Sequence, residues 1–315
     1  MTRPVLHAAL AGAAALALAA LPALPAAAAP AGGTGPARTT TYLLPGERVF
    51  PEGITVEDGS YYVSSTTDGT VYRGSLRGST AEVFLPGGTD GRTTARGLAA
   101  TEELLLVAGG PTGTLFVYDR ETGRFLGSFS APGAFLNDVR VARNGDAYAT
   151  DSTRDVVYRI AADALRSGSG RLELFSPGST GNDPVGAFNA NGIAISQDGR
   201  YLVVVQSDTG RLYRISTQDR SVQQIDLGGA TVRNGDGIVL QGRTLYVVQN
   251  ATATVSEVHL SGQLTEGRLV QTVSDPSFAF PTTAAIAGGR LLVVNSQFDR
   301  RTDPRPFTVS SLQRP

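Results

Sequence analysis

One short unit recurs six times along this 315-residue chain, and that recurrence restricts the fold more than any property of composition. Each copy opens with a small or polar pair ahead of a short apolar strand. The pairs are Glu52-Gly53, Arg96-Gly97, Asn137-Asp138, Asn191-Gly192, Asp236-Gly237 and Thr282-Thr283, whose second residues are spaced by 44, 41, 54, 45 and 46. A second strand follows, from Tyr61-Tyr62-Val63 in the first unit to Leu292-Val293-Val294 in the last, and then a third, from Val71-Tyr72-Arg73 to Phe307-Thr308-Val309. Early units add a fourth, such as Glu82-Val83-Phe84-Leu85. A four-stranded unit at this period cannot bury both faces alone, which predicts an all-β, six-bladed β-propeller over residues 39–315. A β-sandwich would not require one repeat phase held over six copies. The last unit stops at its third strand, so the extended segment 39–44 is expected to supply the missing strand of the sixth blade and close the ring.

Composition removes whole classes of chemistry. The chain has no lysine and no cysteine, which excludes Schiff-base lysines, P-loop lysines, disulfides and thiolate sites. Its two histidines are His7 and His259, too few for a histidine dyad in the mature domain or a three-histidine zinc site. Twenty-seven basic against 28 acidic residues argue against a nucleic-acid partner. Arg3, an apolar run over residues 8–21 and Ala26-Ala27-Ala28 have the form of a secretory signal peptide at 1–28, followed by a flexible lead-in at 29–38. Pro22 and Pro25 interrupt the run short of a membrane span. The expectation is a secreted monomer with a small-molecule substrate and no membrane span after cleavage.

The first strand of every propeller blade runs along the central channel, so residues at one phase converge on the axis. The residue before each landmark reads Glu52, Arg96, Asn137, Asn191, Asp236 and Thr282. Singly, such dipeptides are ordinary turn signals. Jointly, Glu52, Asn137, Asn191 and Asp236 form an oxygen-only set whose two carboxylates balance a dication. Such a set suits Ca²⁺, with Mg²⁺ or Mn²⁺ as alternatives. Strand alternation should turn Asp138 away from that site, to support Asn137 or a turn.

The runs Phe50-Pro51-Glu52-Gly53, Asn137-Asp138-Val139, Asn191-Gly192-Ile193-Ala194-Ile195 and Asp236-Gly237 resemble the gluconolactonase, regucalcin and luciferin-regenerating-enzyme family. The resemblance covers nearly all of the mature chain. It implies a six-bladed propeller with one divalent cation, usually calcium, and lactone hydrolysis, in which Asp236 is both ligand and catalytic base or nucleophile. Sugar-lactone members usually carry arginine two residues before the first channel asparagine, where this chain has Phe135, so the resemblance does not extend to gluconolactone itself. Arg96, Phe135, Phe188 and Thr282 are the candidate substrate-binding residues, with Arg96 favouring an anionic or polarised ligand. The long interval over 161–190 is a candidate lid. Two other readings compete: a non-catalytic binding propeller with a structural calcium, and synthase chemistry of the strictosidine-synthase type, which lacks a base near the axis here. His259 follows the third strand of the fifth unit, away from the axis.

Overall fold

In the computed structural model the described residues are Met1, 39–168, 170–180 and 189–315. The expected signal segment beyond Met1, the lead-in 29–38 and Phe188 lie outside them.

Six four-stranded antiparallel sheets make up the fold. Their first strands, Pro51–Glu57, Leu98–Ala100, Leu136–Val141, Ala190–Ile195, Gly235–Gln241 and Pro281–Ala287, contact one another in sequence and close the ring from sixth to first. The apolar clusters explain why the blades must stack. Tyr62, Leu98 and Leu105 meet between blades 1 and 2, Leu136 and Val117 between 2 and 3, and Ile193 and Tyr148 between 3 and 4. Similar clusters fill the remaining gaps, so each blade lends one face to each neighbour. Burying a Leu, Val or Ile side chain in this way contributes about 1.5–3 kcal/mol, which an isolated blade would lose.

Thr40–Leu44 pairs antiparallel with Phe307–Gln313 and completes blade 6, as the repeat count requires. Its alternation fits the place: Tyr42 and Leu44 enter the core between blades 6 and 1, whereas Thr41 and Leu43 face outward. With no disulfide available, main-chain pairing and these two side chains join the chain's two ends of the ring.

One loop expectation needs correction. The interval 161–190 is not one long loop: it contains helix Ala162–Ser167, whose Leu165 enters the core, and the outer strand Glu173–Pro177 of blade 3. Its described helix and strand therefore serve the blade's outer edge, and no lid is seen among its described residues. The polar stretch 87–94 is held by fully buried Arg92, which donates to Gly69 O at 2.6 Å and Pro86 O at 2.8 Å and bonds the Tyr118 hydroxyl.

Candidate metal and catalytic site in the channel

Five of the six first strands carry a β-bulge at the same phase. Between Pro51 and Ile54, Leu136 and Val139, Ala190 and Ile193, Gly235 and Ile238, and Pro281 and Ala284, two residues oppose one on the next strand. A bulge breaks the two-residue alternation and re-aims a side chain. Five of the six pairs read from the sequence occupy these bulges, so they are not hairpin turns; Arg96-Gly97 precedes the unbulged strand Leu98–Ala100. The freed backbone groups find local partners: Gly53 N donates to Ser64 Oγ at 2.7 Å and Asp138 N to Thr150 Oγ1 at 3.0 Å.

Glycine follows four of the six phase residues because the strands converge there. A Cβ on Gly53 would run into the Arg96 carbonyl, and one on Gly192 into that of Asp236. Neighbouring bulges also bond directly around the ring. Gly97 N donates to Asn137 O at 2.8 Å, Ile193 N to Asp138 Oδ2 at 3.2 Å, and Thr282 Oγ1 to Glu52 O at 2.8 Å. Thr282, expected to meet substrate, is fully buried with its hydroxyl committed to this closure of blade 6 on blade 1.

Glu52, Asn137, Asn191 and Asp236 are all buried at this level. Three residues that the sequence reading missed orient three of them. Ser152 Oγ accepts from Asn137 Nδ2 at 2.8 Å, Ser207 Oγ accepts from Asn191 Nδ2 at 2.9 Å, and Asn250 Nδ2 donates to Asp236 Oδ2 at 3.1 Å. Each lies just past the second strand of its blade, 15, 16 and 14 residues after its partner, a second repeat phase that could have flagged them. The two serines also donate to the next blade, Ser152 to Ala190 O at 2.9 Å and Ser207 to Gly235 O at 2.5 Å, so the same hydroxyls set side chains and tie blades.

The electrostatics are those of crowded buried acids. Burial, then the like charge of Asp236, hold the Glu52 carboxyl well above the usual carboxylate range, with Arg96 offsetting part of the effect. Burial pushes Asp236 up to about 7, against hydrogen bonds from Asn250 and Asn191 and the charge of Arg96. Glu52 Oε2 and Asn137 Oδ1 are buried without any hydrogen-bond partner. Two carboxylates and two amides, with two orphaned oxygens, fit a hard dication, which would offset the buried charge and take up the lone pairs. Among the described residues no group of three Asp, Glu, His or Cys side chains could hold a metal, so the amides are indispensable to such a site.

Asp138 sits in the blade 3 bulge, where two-residue alternation no longer sets direction; its charge acts on Glu52 and Asp236, and its hydrogen bonds do not go to Asn137. It accepts from Val139 N, Arg140 Nη1 and Ile193 N and so joins blades 3 and 4. Phe135 precedes the blade 3 bulge: Asp151 Oδ1 accepts its backbone N–H at 3.0 Å, and the Arg96 guanidinium lies 5.1 Å from its ring centre. His259 pairs with Glu257 at 2.7 Å on the third strand of blade 5, outside the phase that forms the site.

No known family model matches the chain, and no curated protein matches it. Solved structures do. The major Malassezia sympodialis allergen Mala s 1 superposes with a TM-score of 0.68 at 12% identity, over 87% of this chain and 95% of its own. A luciferin-regenerating enzyme gives 0.62 at 13% identity, and regucalcin from Agrobacterium tumefaciens strain C58, described as a calcium-binding protein, gives 0.61 at 17%. Both cover 87% of this chain and 95% of theirs. At such identities the likeness is one of fold, so the six-bladed ring that the repeats predicted is an architecture shared with an allergen, an enzyme and a calcium-binding protein.

Proposed function

We propose that this chain is a calcium-dependent hydrolase of a lactone or related ester, with Glu52, Asn137, Asn191 and Asp236 as the cation's ligands. The observation that carries the reading is the pair of buried, partnerless oxygens, Glu52 Oε2 and Asn137 Oδ1, in the same bulge ring as Asp236. A bound dication would supply Lewis-acid polarisation of the substrate carbonyl. Asp236 is the proton acceptor for the attacking water or the nucleophile, its carboxylate steadied through Oδ2 by Asn250. Asn137 and Asn191 keep their amides oriented through Ser152 and Ser207, so little reorganisation accompanies substrate binding. Arg96 and Phe135 border the substrate. Residues 1–28 direct export, and the mature domain works as a monomer.

The experiment is a panel of lactones, an aryl ester and a phosphotriester, assayed with calcium, with chelator and with Asp236→Ala. Turnover that needs both calcium and Asp236 is expected. Turnover surviving chelator and substitution would remove the metal mechanism. No turnover anywhere, with calcium still raising thermal stability, would favour a binding propeller with a structural ion. The mass of the secreted protein checks the cleavage near residue 28.

A further inference from the structure

The turn between the second and third strands spans four or five residues in blades 1 to 5, but 296–306 in blade 6. This excursion is anchored at its base. Ser296 Oγ donates to Phe280 O at 2.7 Å, and the buried Gln297 side chain accepts from Arg305 N at 2.7 Å and donates to Arg305 O at 2.9 Å. From it Phe298 and Arg301 reach residues that flank the bulge ring. The Arg301 guanidinium lies 4.5 Å from the Phe298 ring centre and 5.1 Å from that of Phe50. Arg48 stands 5.4 Å over the Phe50 ring, and Arg96, already 5.1 Å over Phe135, is also 5.9 Å from Phe298. Rings and cations therefore alternate as Phe135, Arg96, Phe298, Arg301, Phe50 and Arg48, with residues drawn from blades 1, 2, 3 and 6.

Stacking holds each guanidinium by its face and leaves its N–H edge for a partner. No described carboxylate stands within ion-pair distance of any of the three. Arg96 Nε is buried without an acceptor. Burial, then the charges of Arg96 and Arg48, depress the pKa of Arg301, a sign that the three cations repel one another. The charge of Arg96 acts on Glu52 and Asp236, two acids that a bound dication would neutralise. Arg48 and Arg301 are exposed to solvent and the three cations have no ion-pair partner among the described residues, so an anion bridging them would relieve their repulsion.

We propose that this arginine–phenylalanine ladder recognises an oxyanion on the substrate, so that the site takes a lactone or ester bearing a carboxylate or phosphate in preference to a neutral one. The inference rests on the hydrolase reading for its substrate class, but binding tests it separately. The mature, calcium-loaded protein is titrated calorimetrically with glutarate, ethyl phosphate and the neutral glutaramide. At least one anion should bind about tenfold tighter than glutaramide, consistent with a charge-assisted bond, and the tighter anion identifies the oxyanion class. Arg301→Gln should cut that preference about tenfold, and the exposed, remote Arg124→Gln should leave it intact. In parallel, kcat/KM is compared for mono-4-nitrophenyl glutarate and 4-nitrophenyl butyrate. Selective anion binding without turnover of either ester would keep the ladder and sink the hydrolase reading. Turnover with no anion preference in binding or rate would do the reverse, and equal anion preference in the wild type and Arg301→Gln would also overturn the ladder.

Discussion

Asp138 and Asp236 occupy adjacent phases of the repeat and are both fully buried acids near an arginine, yet their surroundings differ in kind. Asp138 has a backbone donor on each oxygen and an ion pair with Arg140 at 3.0 Å. Arg140 in turn donates to the carbonyls of Leu98, Val139 and Ile238, reaching blades 2, 3 and 5, and borders a cavity of 280 Å³ lined also by Thr55, Gln241 and Ile286. Asp236 has amide donors and a more distant arginine, and its ring holds two oxygens with no partner. The difference separates a charge used to tie blades from one left available. A satisfied buried pair supports the fold, whereas a partly satisfied cluster is costly until a ligand completes it.

The sharpest break of that contrast is Asp236→Asn. Hydrolysis with calcium should fall on the order of a thousandfold, the scale of losing a key electrostatic or acid–base group. In chelator at pH 8 the same variant should melt above the wild type, because a buried anion is gone; a lower melting point would mean that Asp236 is structural. Asp138→Ala should act oppositely, costing about 3 kcal/mol in urea unfolding because Arg140 loses its counter-charge. A loss below about 1 kcal/mol would erase the distinction between the two acids.

Acidity gives a third handle. The folded-state pKa of Asp236 is raised to about 7 and that of Glu52 is raised as well, so the folded protein binds more protons than the unfolded chain above the ordinary carboxylate pKa. Without calcium, stability should therefore be highest in acid and decline as pH rises from about 4 to 7, by about 5 °C in melting temperature. Saturating calcium should flatten that decline, and differential scanning calorimetry across the range distinguishes the two behaviours. The smallest effect belongs to His259→Ala. Its Glu257 partner keeps the hydrogen bond from Gln271 at 2.8 Å, so the change should cost about 0.5 kcal/mol with hydrolysis unaltered. A large loss of rate would place a functional acid outside the channel.

Much of the ring was legible because repetition reports tertiary placement without a structure. Spacing alone predicted six blades, the missing strand of the last one, and 39–44 as its replacement. The common phase singled out Glu52, Asn137, Asn191 and Asp236, while their identity with turn dipeptides concealed why the phase matters: in the fold it is a bulge, where glycine is demanded by strand convergence. Ser152, Ser207 and Asn250 also repeat, so their phase could have flagged them, but hydroxyls and amides after a strand are so common in loops that their hydrogen bonds were needed to assign the role.

The blade 6 excursion carries no such signal. Phe298 and Arg301 match nothing in the other units, and irregular length around 161–190 drew attention to a segment that builds an outer strand. The linear sequence determined the number of blades and the chemistry at the head of each first strand, since both follow from local pattern and its period. Which buried acid is satisfied, and which cations and rings stack on one another, was decided by tertiary structure alone, because those contacts join different blades, Asp138 to Ile193 and Arg301 to Phe50, and local pattern does not report them.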